Sequence, residues 1–235
     1  MNTISQPIII PAYQPGEQLV SVIDRLQELG AARIVVINDG SSLDCDTVFN
    51  KISAMSVVHV LEHAENRGKG AALRTGFQYV LDHVAGCGSV VTADADGQHR
   101  PDDIIGVQQA AMTYPDRLIL GVRQFDGDVP WRSRFGNTMT KTVCRLLFRR
   151  RLTDTQTGLR AIPQKMLARL IALKSQRYSF ELEMLVFLIR EGILLQEVPI
   201  RTVYEGNNDT SHFRPVRDSV AIYSTLFRLW LKRKN

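Results

Sequence analysis

The sequence predicts an α/β domain with a mostly parallel central sheet flanked by helices. Three observations carry that expectation. Short apolar runs such as "PIIIPAY" and "RIVVIND" read as strands buried on both faces. Stretches of helical periodicity separate them, which is the pattern of βα units. The runs also close on polar or acidic residues, where a parallel sheet presents its ligand-binding edge.

Taken in order, "PIIIPAY" (residues 7–13) is a strand ending in a Pro-bounded loop. Leu19, Val22, Ile23, Leu26 and Leu29 fall on one face of a helix that Gly30 stops. "RIVVIND" and "VVHVLEH" are the second and third strands. The spacing predicts a helix over 71–84 with Leu73, Phe77, Val80, Leu81 and Val84 inward, then strands at "SVVTADAD" and "LILGVR". Beyond these, Phe135, Met139, Val143, Leu146 and Leu147 mark a helix over 132–148. "TDTQTGLRAIP" is polar and predicts a loop, followed by helices near 163–173 and 180–191. "ILLQEVPI" is a strand whose Pro199 assigns it to an edge. Residues 205–215 are expected as a loop and 216–235 as a last helix. With no repeat, low-complexity tract or linker, the 235 residues are expected to form one domain.

Composition narrows the classes. At 44% hydrophobic residues the chain has ample core. The three-residue apolar run before Pro11 is too short for a signal-peptide core, and no stretch of about 18 apolar residues is present to span a membrane. Cys45, Cys87 and Cys144 are odd in number and scattered, which fits a reducing, cytoplasmic compartment and no zinc site. The net charge of +5 points to an anionic partner.

The strand ends carry Pro11-Ala12-Tyr13, Asn38-Asp39-Gly40, Asp94-Ala95-Asp96 and Gly121-Val122-Arg123. Asp94 and Asp96 are the unusual pair, because two carboxylates one residue apart repel each other. A plain turn accounts for an isolated D-A-D-G. A calcium loop fails on spacing, since Gly97 is fourth from Asp94 and the twelfth residue is Ile105. A haloacid-dehalogenase-like phosphatase also uses D-x-D-G after a strand, but near the N-terminus and with Thr next, where this chain has Gln98. A third reading is a site for Mg2+ or Mn2+, in which Asp94 and Asp96 hold a cation bridging to phosphate and Gln98 adds a carbonyl oxygen. Tyr13 then suits a base, Asp39 a base or ribose, and Lys69 a phosphate.

The segments "IIIPAYQPGEQL", "IVVINDGSS", "ENRGKGAALRTGF", "VVTADADGQHRPDDI", "LGVR", "RFGN", "DTQTGLRAI", "FELEML" and "EVPIRTVY" follow one another across residues 6–204. In that order the chain resembles family 2 glycosyltransferases, specifically the dolichol-phosphate mannosyltransferase-like branch acting on polyprenyl phosphates. The resemblance implies the GT-A nucleotide-diphospho-sugar fold, inversion at the anomeric carbon and a divalent cation. It implies a nucleotide site of Pro11, Ala12, Tyr13, Glu17, Asp39, Lys69, Asp94, Ala95 and Asp96, with Asp94, Asp96 and Gln98 on the metal. The chain departs from the family at Gln14-Pro15, where Asn-Glu often follows the Tyr, so Glu17 is the acid of that segment.

The expected reaction moves a hexose from a nucleotide diphosphate sugar to a polyprenyl phosphate, with Asp96, Arg123 and Arg160 as its central residues. Arg123, Arg134, Arg160 and His212 are the expected acceptor side, because an arginine fork binds phosphate in bidentate fashion. The alternatives are transfer to a sugar hydroxyl of a glycan or glycolipid, with Asp154 or Glu181 as base, and a phosphatase-like D-x-D-G protein. The chain divides on this reading into a nucleotide-binding half over about 1–123, an acceptor-side half over about 124–213 and a basic amphipathic helix over about 216–235. Val216, Val220, Tyr223, Phe227 and Trp230 form its apolar stripe, with Arg214, Arg217, Arg228, Lys232, Arg233 and Lys234 clustered at the two ends. That helix either packs on the domain or lies in the interface of an anionic membrane, which would place the protein at the membrane's inner face. No nucleic-acid partner is expected.

Overall fold

The computed structural model describes residues 6–123, 153–154, 157–175 and 179–201. The strands are β1 (Ile8–Ala12), β2 (Ile34–Asn38), β3 (Val58–Glu62), β4 (Ser89–Thr92), β5 (Leu118–Arg123), β6 (Arg160–Pro163) and β7 (Leu195–Ile200). The helices are α1 (Gln18–Glu28), α2 (Asp46–Ser53), α3 (Lys69–His83), α4 (Pro101–Thr113), α5 (Leu167–Ile171) and α6 (Ser179–Arg190). All seven strands form one sheet in the order β3-β2-β1-β4-β6-β5-β7. β6 runs antiparallel to β4 and β5, and the other neighbours are parallel.

The inner strands bury both faces, so their residues go alternately to two separate cores, while the edge strands β3 and β7 are only partly covered. Ile8, Ile10, Ile34 and Val36 pack beneath Leu19, Ile23 and Leu26 of α1, Phe49 and Ile52 of α2, and Ile104 and Val107 of α4. Ile9, Val35 and Ile37 face the other way, with Leu73, Phe77 and Val80 of α3, Leu170 of α5 and Phe180 and Leu185 of α6. Helix α3 comes unusually close to the sheet. A Cβ on its Gly76 would lie 2.6 Å from Ile9 Cγ2 and 3.1 Å from Ile37 Cδ1, so the missing side chain is what permits that packing. No helix among the described residues is long and apolar enough to cross a membrane.

Four expectations change. The fourth strand stops at Thr92, so Asp94 and Asp96 lie in the turn beyond it rather than on it. The segment "TDTQTGLRAIP" ends in β6, whose four residues are all buried between β4 and β5. Its polar approach hides a strand of only four residues, and Arg160 inside it is accommodated by backbone acceptors. Helices α2 and α4 fill the connections after β2 and β4, which carry no assigned element in the sequence reading. α2 shows just Val48, Phe49 and Ile52 inward, and α4 is announced by Pro101 in its first turn with Asp102 and Asp103 beside it. Helix α3 begins at Lys69, two residues before the periodic stretch.

β7 is the edge strand beside β5, with Pro199 opposite Val122. An edge tolerates the missing N–H. The helices expected over 132–148 and 216–235, the loop over 205–215 and the domain limits drawn through them lie outside the described residues.

Candidate active site

The carboxyl ends of β1, β2, β4 and β5 converge, and the antiparallel β6 adds its amino end, since Thr92 pairs with Arg160. Two side-chain clusters occupy this edge, with a third pair beside them.

The first surrounds Asp39, which is 2% exposed. Its Oδ1 accepts from the Arg67 N–H at 3.0 Å and from His63 Nδ1 at 2.6 Å, and its Oδ2 accepts from the Gly68 N–H at 2.7 Å. The Asp39 N–H donates to the Ala12 carbonyl at 2.8 Å, tying the ends of β1 and β2. Gly40, at φ +68°, lets residues 65–66 come so near that a Cβ would sit 2.3 Å from the Glu65 carbonyl carbon.

The second centres on Asp94. Lys69 Nζ is 2.5 Å from Asp94 Oδ1 and 2.9 Å from Glu181 Oε2, so one ammonium bridges two carboxylates. His99 Nε2 lies 3.2 Å from Asp94 Oδ2. Burial opposes the charge on Asp94, but Lys69 and His99 outweigh it and hold the carboxyl well below the usual carboxylate range. Burial likewise works against the Lys69 ammonium, and Asp94 with Glu181 raises its pKa above the ordinary lysine value regardless. Asp96, at the exposed rim, has the opposite balance: partial desolvation and then the charge of Asp94 push its carboxyl up, and the Gln98 N–H, at 3.0 Å from Oδ1, only partly offsets them. Gly158 supplies the room for Asp94, since a Cβ there would be 2.4 Å from Oδ2 and 2.6 Å from Oδ1. Thr92 Oγ1 donates to the Gly158 carbonyl at 2.8 Å and keeps that strand close.

On the β5 side, Arg123 forks onto Asp154, Nε to Oδ2 at 2.6 Å and Nη2 to Oδ1 at 3.1 Å. Asp154 is fully buried. Arg160 is 1% exposed and donates to the Thr157 carbonyl at 2.9 Å and the Glu181 carbonyl at 2.7 Å. Burial lowers its pKa from the arginine value, and Glu181, Asp154 and Asp94 work against that loss.

Among the other expected residues, Pro11 and Ala12 end β1 and Tyr13 is 39% exposed just beyond it. Gln14 adopts φ +52°, left-handed for a residue with a side chain, and is held there by bonds on every side: its N–H donates to Ser41 Oγ, while its Oε1 accepts from Ser42 Oγ and faces Cys45 Sγ at 3.1 Å. Glu17 turns away to an exposed pair with Lys51 at 2.7 Å. Ala95 packs on the first core. Arg134 and His212 lie outside the described residues. His63, His99, Gly158 and the pairing of Lys69 with Glu181 are features that the sequence reading passes over. His99 and Gly158 sit inside quoted motifs, and that was their one visible signal.

Asp96, Asp94 and the Gln98 carbonyl are hard oxygen donors of the kind Mg2+ and Mn2+ prefer. The insufficiently offset charge on Asp96 is the feature that a cation would complete. The residues therefore fit such an ion. Among the described residues no group of three His, Cys, Asp or Glu side chains is placed to hold a metal ion.

The family model for glycosyl transferase family 2 matches residues 8–173. A UDP-N-acetylglucosamine–dolichyl-phosphate N-acetylglucosaminyltransferase from Methanococcus voltae is 30% identical over 84% of this chain and 85% of its own. A polyprenol monophosphomannose synthase from Mycolicibacterium smegmatis is 29% identical over 82% and 75%. A crystal structure of glucosyl-3-phosphoglycerate synthase from Mycobacterium tuberculosis with Mn2+, uridine diphosphate and glucosyl-3-phosphoglycerate superposes with a TM-score of 0.71, at 16% identity, over 95% of this chain and 79% of that one.

Gly158→Ala is expected to drive the Asp94 carboxylate off its partners and lower stability by about 1–3 kcal/mol. Gly106→Ala, on α4 with open space around it, is expected to be neutral or to stabilise by up to about 1 kcal/mol. Urea unfolding of the two variants checks the contrast, and equal midpoints would refute it.

Proposed function

The chain belongs to glycosyl transferase family 2, has the GT-A fold and is a glycosyltransferase; on that premise we propose that it moves a hexose from a nucleoside diphosphate to a polyprenyl phosphate, with inversion at the anomeric carbon. The observation that carries the reading is the turn after β4, where Asp94 is neutralised by its own chain and Asp96 is not. Mg2+ or Mn2+, held there by Asp94, Asp96 and the Gln98 amide oxygen, would neutralise charge on the leaving diphosphate.

The rest is work for side chains. Pro11, Ala12, Tyr13 and Asp39 sit at adjoining strand ends and are assigned to the nucleoside, with Ala95 beneath the diphosphate. Lys69, beside Asp94, is assigned to a diphosphate oxygen. Glu17, paired with Lys51, is kept at the rim. An acceptor phosphate oxygen bonds to the anomeric carbon from the face opposite the diphosphate as the old C–O bond breaks, and the electron pair leaves with the diphosphate. Arg123 is assigned to the acceptor phosphate together with Arg134 and His212. Arg160, buried on the carbonyls of Thr157 and Glu181, holds the two segments that frame the site.

Transfer to a sugar hydroxyl needs a base. Asp154 is forked by Arg123 and Glu181 is paired with Lys69, so both candidate bases are engaged by cations. An already ionised phosphate acceptor needs none, and the names of the relatives agree with such an acceptor. Family membership removes the phosphatase alternative. The test is a screen of nucleotide sugars with Mg2+ or Mn2+ against undecaprenyl phosphate and soluble glycans. Lipid-linked sugar with free nucleoside diphosphate is expected; product on the glycans alone would overturn the acceptor.

Asp96→Asn is expected to lower turnover about a hundredfold or more while the fold persists, because an interaction made at the developing charge is lost. Near-normal turnover at saturating cation would remove Asp96 from the site.

The basic helix expected over 216–235, outside the described residues, is assigned to contact with an anionic leaflet at the inner face of the membrane. Four terminal cations at about 1 kcal/mol each give weak, salt-sensitive binding. The full chain is expected to sediment with anionic liposomes more than a chain ending at residue 215. Equal partitioning, or indifference to lipid charge, would refute the assignment.

A further inference from the structure

Behind Asp39, which is assigned to the nucleoside, His63 and Thr75 form a largely buried chain that no step of the proposed reaction uses. His63 lies just past β3 with its side chain 5% exposed, against a 4% exposed Asp39 side chain. A carboxylate accepts only, so the 2.6 Å contact puts a proton on His63 Nδ1. In the neutral ring Nε2 is then an acceptor, and the Thr75 hydroxyl donates to it at 2.9 Å. Thr75 is in the second turn of α3, while the Gly68 N–H, on the residue before α3, returns to Asp39 Oδ2. The chain of contacts is therefore a closed ring through the end of β2, the end of β3 and the start of α3. The His63 N–H, bonded to the Asn38 carbonyl at 2.9 Å, locks it further.

Such a ring is costly to bury unless every member is satisfied, and once satisfied it fixes geometry. Two things at the site depend on that geometry. Asp39 has about four acceptor positions, and His63 with the Arg67 and Gly68 N–H groups takes three, so its remaining lone pair is aimed rather than free to turn. Lys69 follows Gly68 directly, so its reach to Asp94 starts from a backbone that the ring holds.

Resting on the donor site proposed above, we infer that His63 is a positioning residue: through Asp39 and the 66–69 segment it sets the affinity for the nucleoside diphosphate without touching it.

The test is calorimetric titration of UDP and GDP, with Mn2+, into the full chain and its variants. His63→Asn keeps a donor where Nδ1 stands, and His63→Leu removes both bonds. The Leu variant is expected to bind nucleoside diphosphate about tenfold or more weakly, the loss of a charge-assisted bond, and Asn to stay within about threefold of the native protein. In turnover, the donor KM of His63→Leu is expected to rise by more than kcat falls, a split that simple loss of folded protein does not produce. Native affinity in His63→Leu, or equal losses in Asn and Leu, would overturn the inference. Should His63→Leu not fold, Thr75→Ser against Thr75→Val decides: Ser is expected to bind better, and equal binding overturns it. Native protein that binds neither nucleotide would remove the donor site itself, and the inference with it.

Discussion

Two carboxylates in one tight turn repel, and the site is arranged around that repulsion. Asp94 is half-buried, so solvent screens its charge only in part, and Asp96 stands at the exposed rim of the same turn. The chain answers at Asp94 alone, with Lys69 on one oxygen and His99 on the other. The cost of the second charge is left standing, which is why partial desolvation and Asp94 together raise the Asp96 carboxyl. A half-neutralised pair is what a site needs if it is to attract a small hard cation and still release it with its diphosphate. Full neutralisation by arginines would leave nothing for the ion to complete.

The neutralising charge is delivered from a distance. Lys69 opens α3, and its other partner, Glu181, sits in the first turn of α6. Arg160 reaches from β6 to the carbonyl of that same Glu181, and its guanidinium is stabilised by Glu181, Asp154 and Asp94 together. Asp154 in turn holds Arg123. Alternating charges thus run from Asp94 to Arg123, with Arg160 and Asp154 fully buried and the others half-buried. In such surroundings an unpaired member is expensive, so each fixes the position of the next.

Much of this was legible in the chain. The five strands of the first half and the positions of Asp39, Asp94, Asp96 and Arg123 at their ends follow from apolar runs and what terminates them. The weak points have physical causes. β6 is four residues long, too short for any period, and carries an arginine. α2 has eight residues, little more than two turns, so its inward stripe is three side chains. His63 is invisible because a histidine after a strand signals nothing until Asp39 and Thr75 are seen to flank it. Gly158 is informative only in space: its lack of a side chain matters because Asp94, far away in the chain, lies where a Cβ would be. Gln14 shows the same limit, since its left-handed backbone is sustained by Ser41, Ser42 and Cys45 from the next loop.

The antiparallel strand in the middle of the sheet gives the arrangement its logic. In a parallel strand, the residues after it reach the carboxyl edge; in β6, the residues before it do. Because β6 runs backwards beside β4, the approach to Arg160 brings Gly158 alongside Asp94 and leaves Asp154 to meet Arg123. The reversal therefore lets one sheet edge take the Asp39 and Asp94 clusters from the first half of the chain and framing residues from the second. A parallel β6 would place Pro163 and the 3-10 turn Gln164–Met166 there instead, a segment with a single lysine among its four residues, and that lysine is now exposed and paired with Asp116. The direction of four residues thus decides which loop meets the carboxylates, and with it the room for Asp94, the anchor for Arg123 and the frame around Glu181.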